Sequence, residues 1–403
     1  MLSRDQAIFL AVGIGLLATS FALSAYLCGL IRRWADSLGF LDRPGGHKGH
    51  ANPVPLGGGV AIWLTTLSLS IVGVAVLTFG RGLLPEALAR YADGVKLQSG
   101  AFFLILFVST FIMGMGLLDD RKGLTWASRL GVQVGLATIL AVAGVRVTLF
   151  GLGPLAHPVI GGIVTVLWIV GLTNAFNFLD NMDGLAAGVG LIAALLFAGA
   201  QIAVGSLFVP ALLLGLVGAL AGFLVHNRHP ARLFMGDAGS NFIGFLLGSL
   251  TVAGTYYRYG TGESRWGVLA PLLVMAVPLY DTTSVVFIRI REGRSPFLPD
   301  RRHFSHRLVD RGLTRPQAVR TIYLVTLAGG LGALLLHRLD GFGAAVVLGQ
   351  TVCLLGVVAL LEVSGNGRPV PERKPVPVQV NVQDRERADV EATPASHSHN
   401  PTA

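Results

Sequence analysis

Charge and cysteine are scarce in this chain. Of its 403 residues only 13% are Asp, Glu, Lys or Arg, while 52% are hydrophobic. Globular domains carry about 25% charged residues, so there is too little polar side chain here to cover a water-soluble fold of this length. The choice is then between a soluble multi-domain protein and a membrane protein, and the apolar stretches described below decide it for the second. The two cysteines, Cys28 and Cys353, both sit inside apolar runs, which excludes a disulfide framework and a cysteine-based metal site. No long-period repeat is visible, so a solenoid is excluded as well.

Apolar stretches of membrane length take the place of the missing charge. They fall at about 7–30, 55–79, 100–118, 129–145, 158–174, 184–204, 207–225, 241–256, 267–288, 319–337 and 343–363. Eleven such runs predict an all-α polytopic membrane protein, with residues 1–363 as the integral membrane domain. The first run is too long for the apolar core of a signal peptide and is followed at once by Arg32 and Arg33, so it reads as a retained helix. The 53 glycines then signal close helix packing. Between the fourth and fifth runs, "GVRVTLFGLGPLAHP" mixes β-branched residues with Gly and Pro and suits a small interfacial hairpin.

The net charge of +9 raises the question of nucleic acid, and its distribution answers it. Loops 31–54, 119–129, 174–183, 226–240 and 289–318 hold 17 of the 31 Lys and Arg residues, and the opposite loops with the N-terminus hold 8. That bias is the positive-inside pattern, which puts the N-terminus outside and the C-terminus in the cytoplasm. No nucleic-acid partner is expected. Residues 364–403, rich in Pro and mixed charge, read as a disordered cytoplasmic tail.

The polar residues that remain gather in five loops, all on the expected cytoplasmic side: "GHKGHANPVPLGGG", "LLDDRKGLT", "NAFNFLDNMDG", "HNRHPARLFMGDAGSN" and "FLPDRRHFSHRLVDRGLT". Asn174, Asn177, Asp180 and Asp183 recur every third residue, a spacing that lines one side of a helix. Together with Asp119, Asp120 and Asp237 they place five carboxylates at three span ends. One such acid is ordinarily a solvated cap; five on one face suit Mg²⁺, which uses one or two protein carboxylates and completes its shell with water and phosphate oxygens. In "FMGDAGSNFIG", Ser240 and Asn241 stand where an N-cap belongs, and free backbone N–H groups at that helix start would favour an anion. His303 and His306 have the spacing of a metal pair without a third His or Cys near, so phosphate contact or acid–base support fits them better than zinc. Most of the neighbouring arginines belong to the positive-inside pattern. Metal, helix start and basic residues together are the equipment of phosphoryl transfer.

On these five clusters, in this order over about residues 7–363, the chain resembles the polyprenyl-phosphate N-acetylhexosamine-1-phosphate transferases, the superfamily of the WecA-type and MraY enzymes. The resemblance implies that undecaprenyl phosphate attacks the β-phosphorus of a UDP-N-acetylhexosamine, releasing UMP, with Mg²⁺ required and Mn²⁺ as a substitute. It implies Asp237 as the metal ligand, Asp119 and Asp120 as the acidic pair, and His303 and His306 as the histidine motif of the catalytic centre. Substrate contacts are implied for Lys48, Asn174, Asn177, Asp180, Asn227, Arg301 and Arg302, for Asp183 on the uracil ring, and for Phe234 stacked against that ring. Ser305 stands where WecA-type members commonly carry another histidine. The form of the "DRRHFSHR" stretch favours GlcNAc-1-phosphate over the phospho-MurNAc-pentapeptide that MraY transfers. The implied setting is the bacterial inner membrane, among its lipids, with a homodimer left open. A secondary transporter, the rival reading, would instead place ionisable residues at mid-membrane in broken helices and show an internal repeat. A lipid-binding scaffold without catalysis would survive removal of the Asp237 charge.

Overall fold

The computed structural model describes residues 4–363 apart from 36, 38, 43–52, 81, 83, 90–91, 148–155, 258–263 and 296–301. Each of the eleven apolar runs forms helix. In chain order the helices are α1 (Arg4–Trp34), α2 (Gly58–Phe79), the short α3 (Glu86–Ala89), α4 (Ala92–Lys122), α5 (Trp126–Val142), α6 (Ala156–Leu179), α7 (Leu185–Ala203), α8 (Phe208–Asn227), α9 (Gly236–Ala253), α10 (Ala270–Val274), α11 (Ala276–Arg291), α12 (Phe304–Asp310), α13 (Arg315–Gly330) and α14 (Gly341–Val363). A two-residue antiparallel ladder joins β1 (Leu41–Asp42) to β2 (Val54–Pro55). The interfacial hairpin expected between α5 and α6, and the tail after residue 363, lie outside the described residues.

By length and composition, eight of these helices suffice to cross a membrane, or nine if the bent pair formed by Arg265–Val274 and Ala276–Arg291 is one span. The difference from eleven has a physical source in each case. Helix α5 has 17 residues, or about 25 Å at 1.5 Å per residue, short of a ~30 Å hydrocarbon layer. Helix α9 begins at Gly236, five residues before the expected run, so its first turn is polar; almost every residue from Ala238 to Thr251 is buried by other helices. An element enclosed by protein does not need a lipid-facing surface. The ninth run is broken at Met275 by 58°. Pro278 stands four residues after Val274, where its ring clashes with the Val274 carbonyl and its missing N–H removes a helical hydrogen bond.

The outermost helices carry the exposed apolar side chains, among them Leu10 and Ile14 on α1, Phe107 and Phe111 on α4, and Phe342 and Leu360 on α14. Such surfaces would aggregate in water and are stable against lipid tails. Inside, backbone approach sets the packing. A Cβ on Gly218 would lie 2.5 Å from the Leu17 carbonyl oxygen, and one on Gly222 2.4 Å from that of Phe21. The pair is a small-xxx-small seam through which α1 meets α8. Ser24 Oγ donates to the Ala219 carbonyl at 2.6 Å across the same seam, and Ser20 donates likewise to Gly215.

Gly222→Val is therefore expected to separate α1 from α8 and to destabilise the detergent-solubilised protein by about 2 kcal/mol or more. Gly73→Ala, where nothing lies within 4 Å of the added carbon, should leave the thermal midpoint unchanged. Equal midpoints for the two variants in a thermal-shift assay would refute the seam.

Candidate active site

Successive residues on a helix point about 100° apart, and the consecutive acids Asp119 and Asp120 at the end of α4 accordingly serve different neighbours. Asp119 turns toward α5: its Oδ1 accepts from the Leu124 N–H at 2.6 Å and its Oδ2 from Arg129 Nη1 at 2.8 Å. Asp120 turns toward α9, accepting from the N–H of Asp237 at 2.7 Å and of Ala238 at 3.2 Å. This corrects one expectation. The first N–H groups of α9 are not open to an anionic ligand, because Asp120 already fills that place. Two glycines allow it: a Cβ on Gly116 would lie 2.4 Å from the Asp237 carbonyl oxygen, and Gly236 adopts φ +73° with Asp120 Oδ2 2.6 Å from where its Cβ would be.

Ser240 and Asn241 are likewise not caps. Both lie within α9 and donate back one turn, Ser240 Oγ to the Gly236 carbonyl at 3.2 Å and Asn241 Nδ2 to that of Asp237 at 2.8 Å.

The polar stripe of α6 divides. Asn177 Nδ2 donates to Asp237 Oδ1 at 2.7 Å and so belongs to the acid cluster. Asn174 points instead into a buried amide chain, donating to Gln133 Oε1 at 2.7 Å, while Gln133 Nε2 donates to Asn241 Oδ1 at 3.2 Å. Helix α6 ends at Leu179, so the periodic spacing stops there. Asp180 sits just past the helix end, and its carboxyl is pushed up to about 8 by burial first and then by the charges of Asp237, Asp120 and Asp183. Burial, followed by Asp120 and Asp119, raises Asp237 in the same way. Arg129 Nη1 reaches to 3.8 Å from Asp237 Oδ2, and one arginine beside this many acids leaves a cluster that favours a further cation.

That cluster fits a loosely caged divalent ion. Among the described residues no group of three or more His, Cys, Asp or Glu side chains closes on one point, so a dedicated protein cage is absent there. Mg²⁺ does not require one, since one or two carboxylates with water and substrate phosphates complete its octahedron.

Asp183 leaves the stripe altogether. Its Oδ2 accepts from His229 Nδ1 at 2.8 Å and from the Ala231 N–H at 3.1 Å, pinning the α8–α9 loop. Asn227 is 3% exposed and uses both ends of its amide on the protein: Oδ1 accepts from the Gly184 N–H at 2.9 Å, and Nδ2 donates to the Leu233 carbonyl at 2.9 Å. Its geometry is that of a loop clamp and not of an open ligand contact. Phe234 is held through its backbone, its N–H donating to Pro55 at 2.8 Å and its carbonyl accepting from Gly58 at 2.9 Å. Beside Asp183 opens a cavity of about 490 Å³ lined also by His229, Arg228, Arg232, Arg320 and Tyr323.

The histidine loop approaches from α12. His303 is the residue preceding that helix, and His306 lies half-buried in its first turn. His303 Nδ1 is 3.0 Å from Asp281 Oδ2, and its ring centroid is 5.5 Å from that of Phe178 on α6. Ser305, which replaces the expected histidine, donates to Asn181 Oδ1 at 2.5 Å and so ties α12 to the α6–α7 turn. Arg302 is paired with Glu292, and Arg307 anchors the loop to Ser284 at 2.9 Å and Glu362 at 3.1 Å. Lys48 and Arg301 lie outside the described residues.

Asp281 corrects the view that the acids keep to span ends: it is a buried carboxylate on α11, 1% exposed. The sequence does carry its signal, a lone acid in the apolar run "VMAVPLYDTTSVV", which inside a membrane-length segment marks a functional residue. Arg129 and Gln133 carry no such signal, the first being one of several basic residues in the 119–129 loop and the second a single amide in an apolar run.

Residues 102–255 match the family described as glycosyl transferase family 4. The chain is 32% identical to a decaprenyl-phosphate N-acetylglucosaminephosphotransferase of Mycolicibacterium smegmatis, over 87% of this chain and 88% of that protein. It is 29% identical to a probable undecaprenyl-phosphate N-acetylglucosaminyl 1-phosphate transferase of Bacillus subtilis, over 83% and 87% of the two chains. To an undecaprenyl-phosphate alpha-N-acetylglucosaminyl 1-phosphate transferase of Escherichia coli it is 26% identical, over 74% and 76%.

Removing Arg129 leaves the Asp119 carboxylate, whose side chain is 4% exposed, without its partner. Arg129→Met is expected to cost about 2–3 kcal/mol, less than a fully buried pair because the arginine is itself nearly a third exposed. Asp119→Asn added to Arg129→Met should recover part of the lost thermal stability. A double variant less stable than Arg129→Met alone would contradict the pairing.

Proposed function

The chain belongs to glycosyl transferase family 4, and from that premise we propose that it transfers N-acetylglucosamine 1-phosphate from UDP-N-acetylglucosamine to undecaprenyl phosphate in a cell membrane. An oxygen of the lipid phosphate attacks the β-phosphorus of the donor, the bond from that phosphorus to the UMP oxygen breaks, and UMP leaves with the bonding pair. The product is the polyprenyl-diphospho-sugar that initiates an envelope polysaccharide. Relatives whose names specify this sugar support the choice of GlcNAc over phospho-MurNAc-pentapeptide.

One observation carries the reading: hydrogen bonds from the Asp237 N–H to Asp120 and from Asn177 to Asp237 bring the ends of α4, α6 and α9 together, and with them the carboxyl groups of Asp120, Asp180 and Asp237. Such a concentration of negative charge is unfavourable unless a cation and the phosphates it brings complete it. Mg²⁺ bound at Asp237 would neutralise donor phosphates and the charge that develops on the departing UMP. Asn177 holds the Asp237 carboxylate in place, and Arg129 moderates the repulsion between Asp119 and Asp237. The basic cavity beside Asp183 suits the nucleotide end of the donor.

The lipid phosphate is already largely ionised near neutral pH, so attack needs little help from a base. The proposed topology has eleven spans, with the site on the cytoplasmic face of a bacterial inner membrane, the N-terminus outside and the C-terminus inside. The Lys and Arg distribution supports it.

Purified protein given undecaprenyl phosphate, Mg²⁺ and a panel of UDP-sugars is expected to release UMP with UDP-GlcNAc. Asp237→Asn should lower that release by at least about 100-fold, the scale of losing a charge-positioning group in phosphoryl transfer. Release with UDP-MurNAc-pentapeptide alone would overturn the sugar, and no release with any UDP-N-acetylhexosamine would overturn the enzyme.

A further inference from the structure

We propose that Asp281 is the positioning residue for His303: its carboxylate accepts from Nδ1–H, so that Nε2 is the ring nitrogen left to take up a proton and donate it to the substrate phosphates. The proposal rests on the transfer reading for what Nε2 meets, and on geometry alone for the coupling between the two residues. Asp281 and His303 have side chains 1% and 7% exposed and are 3.0 Å apart. An ionised carboxylate only accepts hydrogen bonds, so the nitrogen facing it must carry a hydrogen.

The carboxylate has a second donor to satisfy. Its Oδ1 accepts from the Phe304 N–H at 2.5 Å, the first backbone amide of α12. One acid therefore fixes both the ring and the start of the helix that carries it. A neutral Ser or Asn would suffice to hold the Phe304 amide alone, and a buried acid within an apolar run of membrane length is rare where it has no task. Here the two donors need two acceptors, which a carboxylate has and a carboxamide lacks.

The surroundings join this pair to the acid cluster. The ring of His303 lies against Phe178, which adjoins Asn177 in sequence, and Asn177 donates to Asp237. Ser305, two residues beyond His303, is tied to Asn181 in the turn that follows Asp180. His303 is thus held from α11 on one side and from the end of α6 on the other. Its ring sits beside the segment of α6 that supplies Asn177 to the acid cluster.

Asp281→Asn is the discriminating change. Its single side-chain oxygen serves either the Phe304 amide or His303 Nδ1, and in the first case the carboxamide N–H drives the ring to the opposite tautomer. In the full-length protein with UDP-GlcNAc, undecaprenyl phosphate and Mg²⁺, kcat should fall about 10–100-fold, as when an orienting partner is removed from a working histidine. KM for UDP-GlcNAc should stay within about twofold. Asp281→Asn combined with His303→Gln should be no slower than His303→Gln alone, because both act through one ring. Losses that multiply in the double variant would overturn the proposal.

A second measurement needs no Asp281 variant to fold. In wild-type protein labelled with ¹⁵N at the histidine rings, the signals missing from His303→Gln should report a protonated Nδ1. A neutral ring protonated at Nε2 would also overturn it. If wild-type protein releases no UMP, the transfer reading fails on its own, and the ring-nitrogen measurement still decides the coupling.

Discussion

The contact on which the site depends is the Asp120 carboxylate across the start of α9. It joins the C-terminal end of one long helix to the first turn of the most enclosed one, accepting from two amides that would otherwise have no partner there. Both sides are charged or strongly polar, and both are removed from water, so the contact is short and its geometry narrow. It also fixes where Asp237 stands, because Asp237 supplies one of the two amides. From that residue the site extends in three directions: to Asn177 and α6, through the Asp237 carbonyl to Asn241 and Gln133, and through Arg129 to Asp119.

A helix start filled by a protein carboxylate changes the electrostatic logic of the pocket. An open helix N-terminus would attract a phosphate directly. Here the dipole is spent on Asp120, and what faces the pocket is an excess of acid. An anion that approaches such a cluster is repelled unless a cation accompanies it. Apart from Arg129 among the acids, Arg228, His229, Arg232 and Arg320 gather around Asp183 and the α8–α9 loop.

Much of the fold was legible because the bilayer imposes length and apolarity on any segment that crosses it. Runs such as 207–225 and 343–363 became α8 and α14 with boundaries close to those read from composition. Legibility failed where protein takes the place of lipid. Helix α9 starts earlier than its apolar run because its first turn is solvated by Asp120 and Asn177. The every-third-residue stripe was right for Asn177 and misleading for Asp183. Spacing along a chain speaks for direction only while the helix continues, and α6 stops at Leu179. Asn174 shows a further limit: a helical face says which way a side chain points, not whether a buried Gln133 will be waiting there.

The histidine loop shows the same limit from the other side. Its motif is conspicuous in sequence, yet the residues that orient it are 22 positions away on α11 and 124 away at Asn181. Neither spacing has a period, so no local pattern could join them. What the sequence did offer was incongruity, a single Asp in an apolar run beside a proline that breaks the helix. The 58° bend at Met275 gives both oddities one reason. Both halves of the bent pair pack against α13, and the half after the break, with Pro278 in its first turn, brings Asp281 to the start of α12.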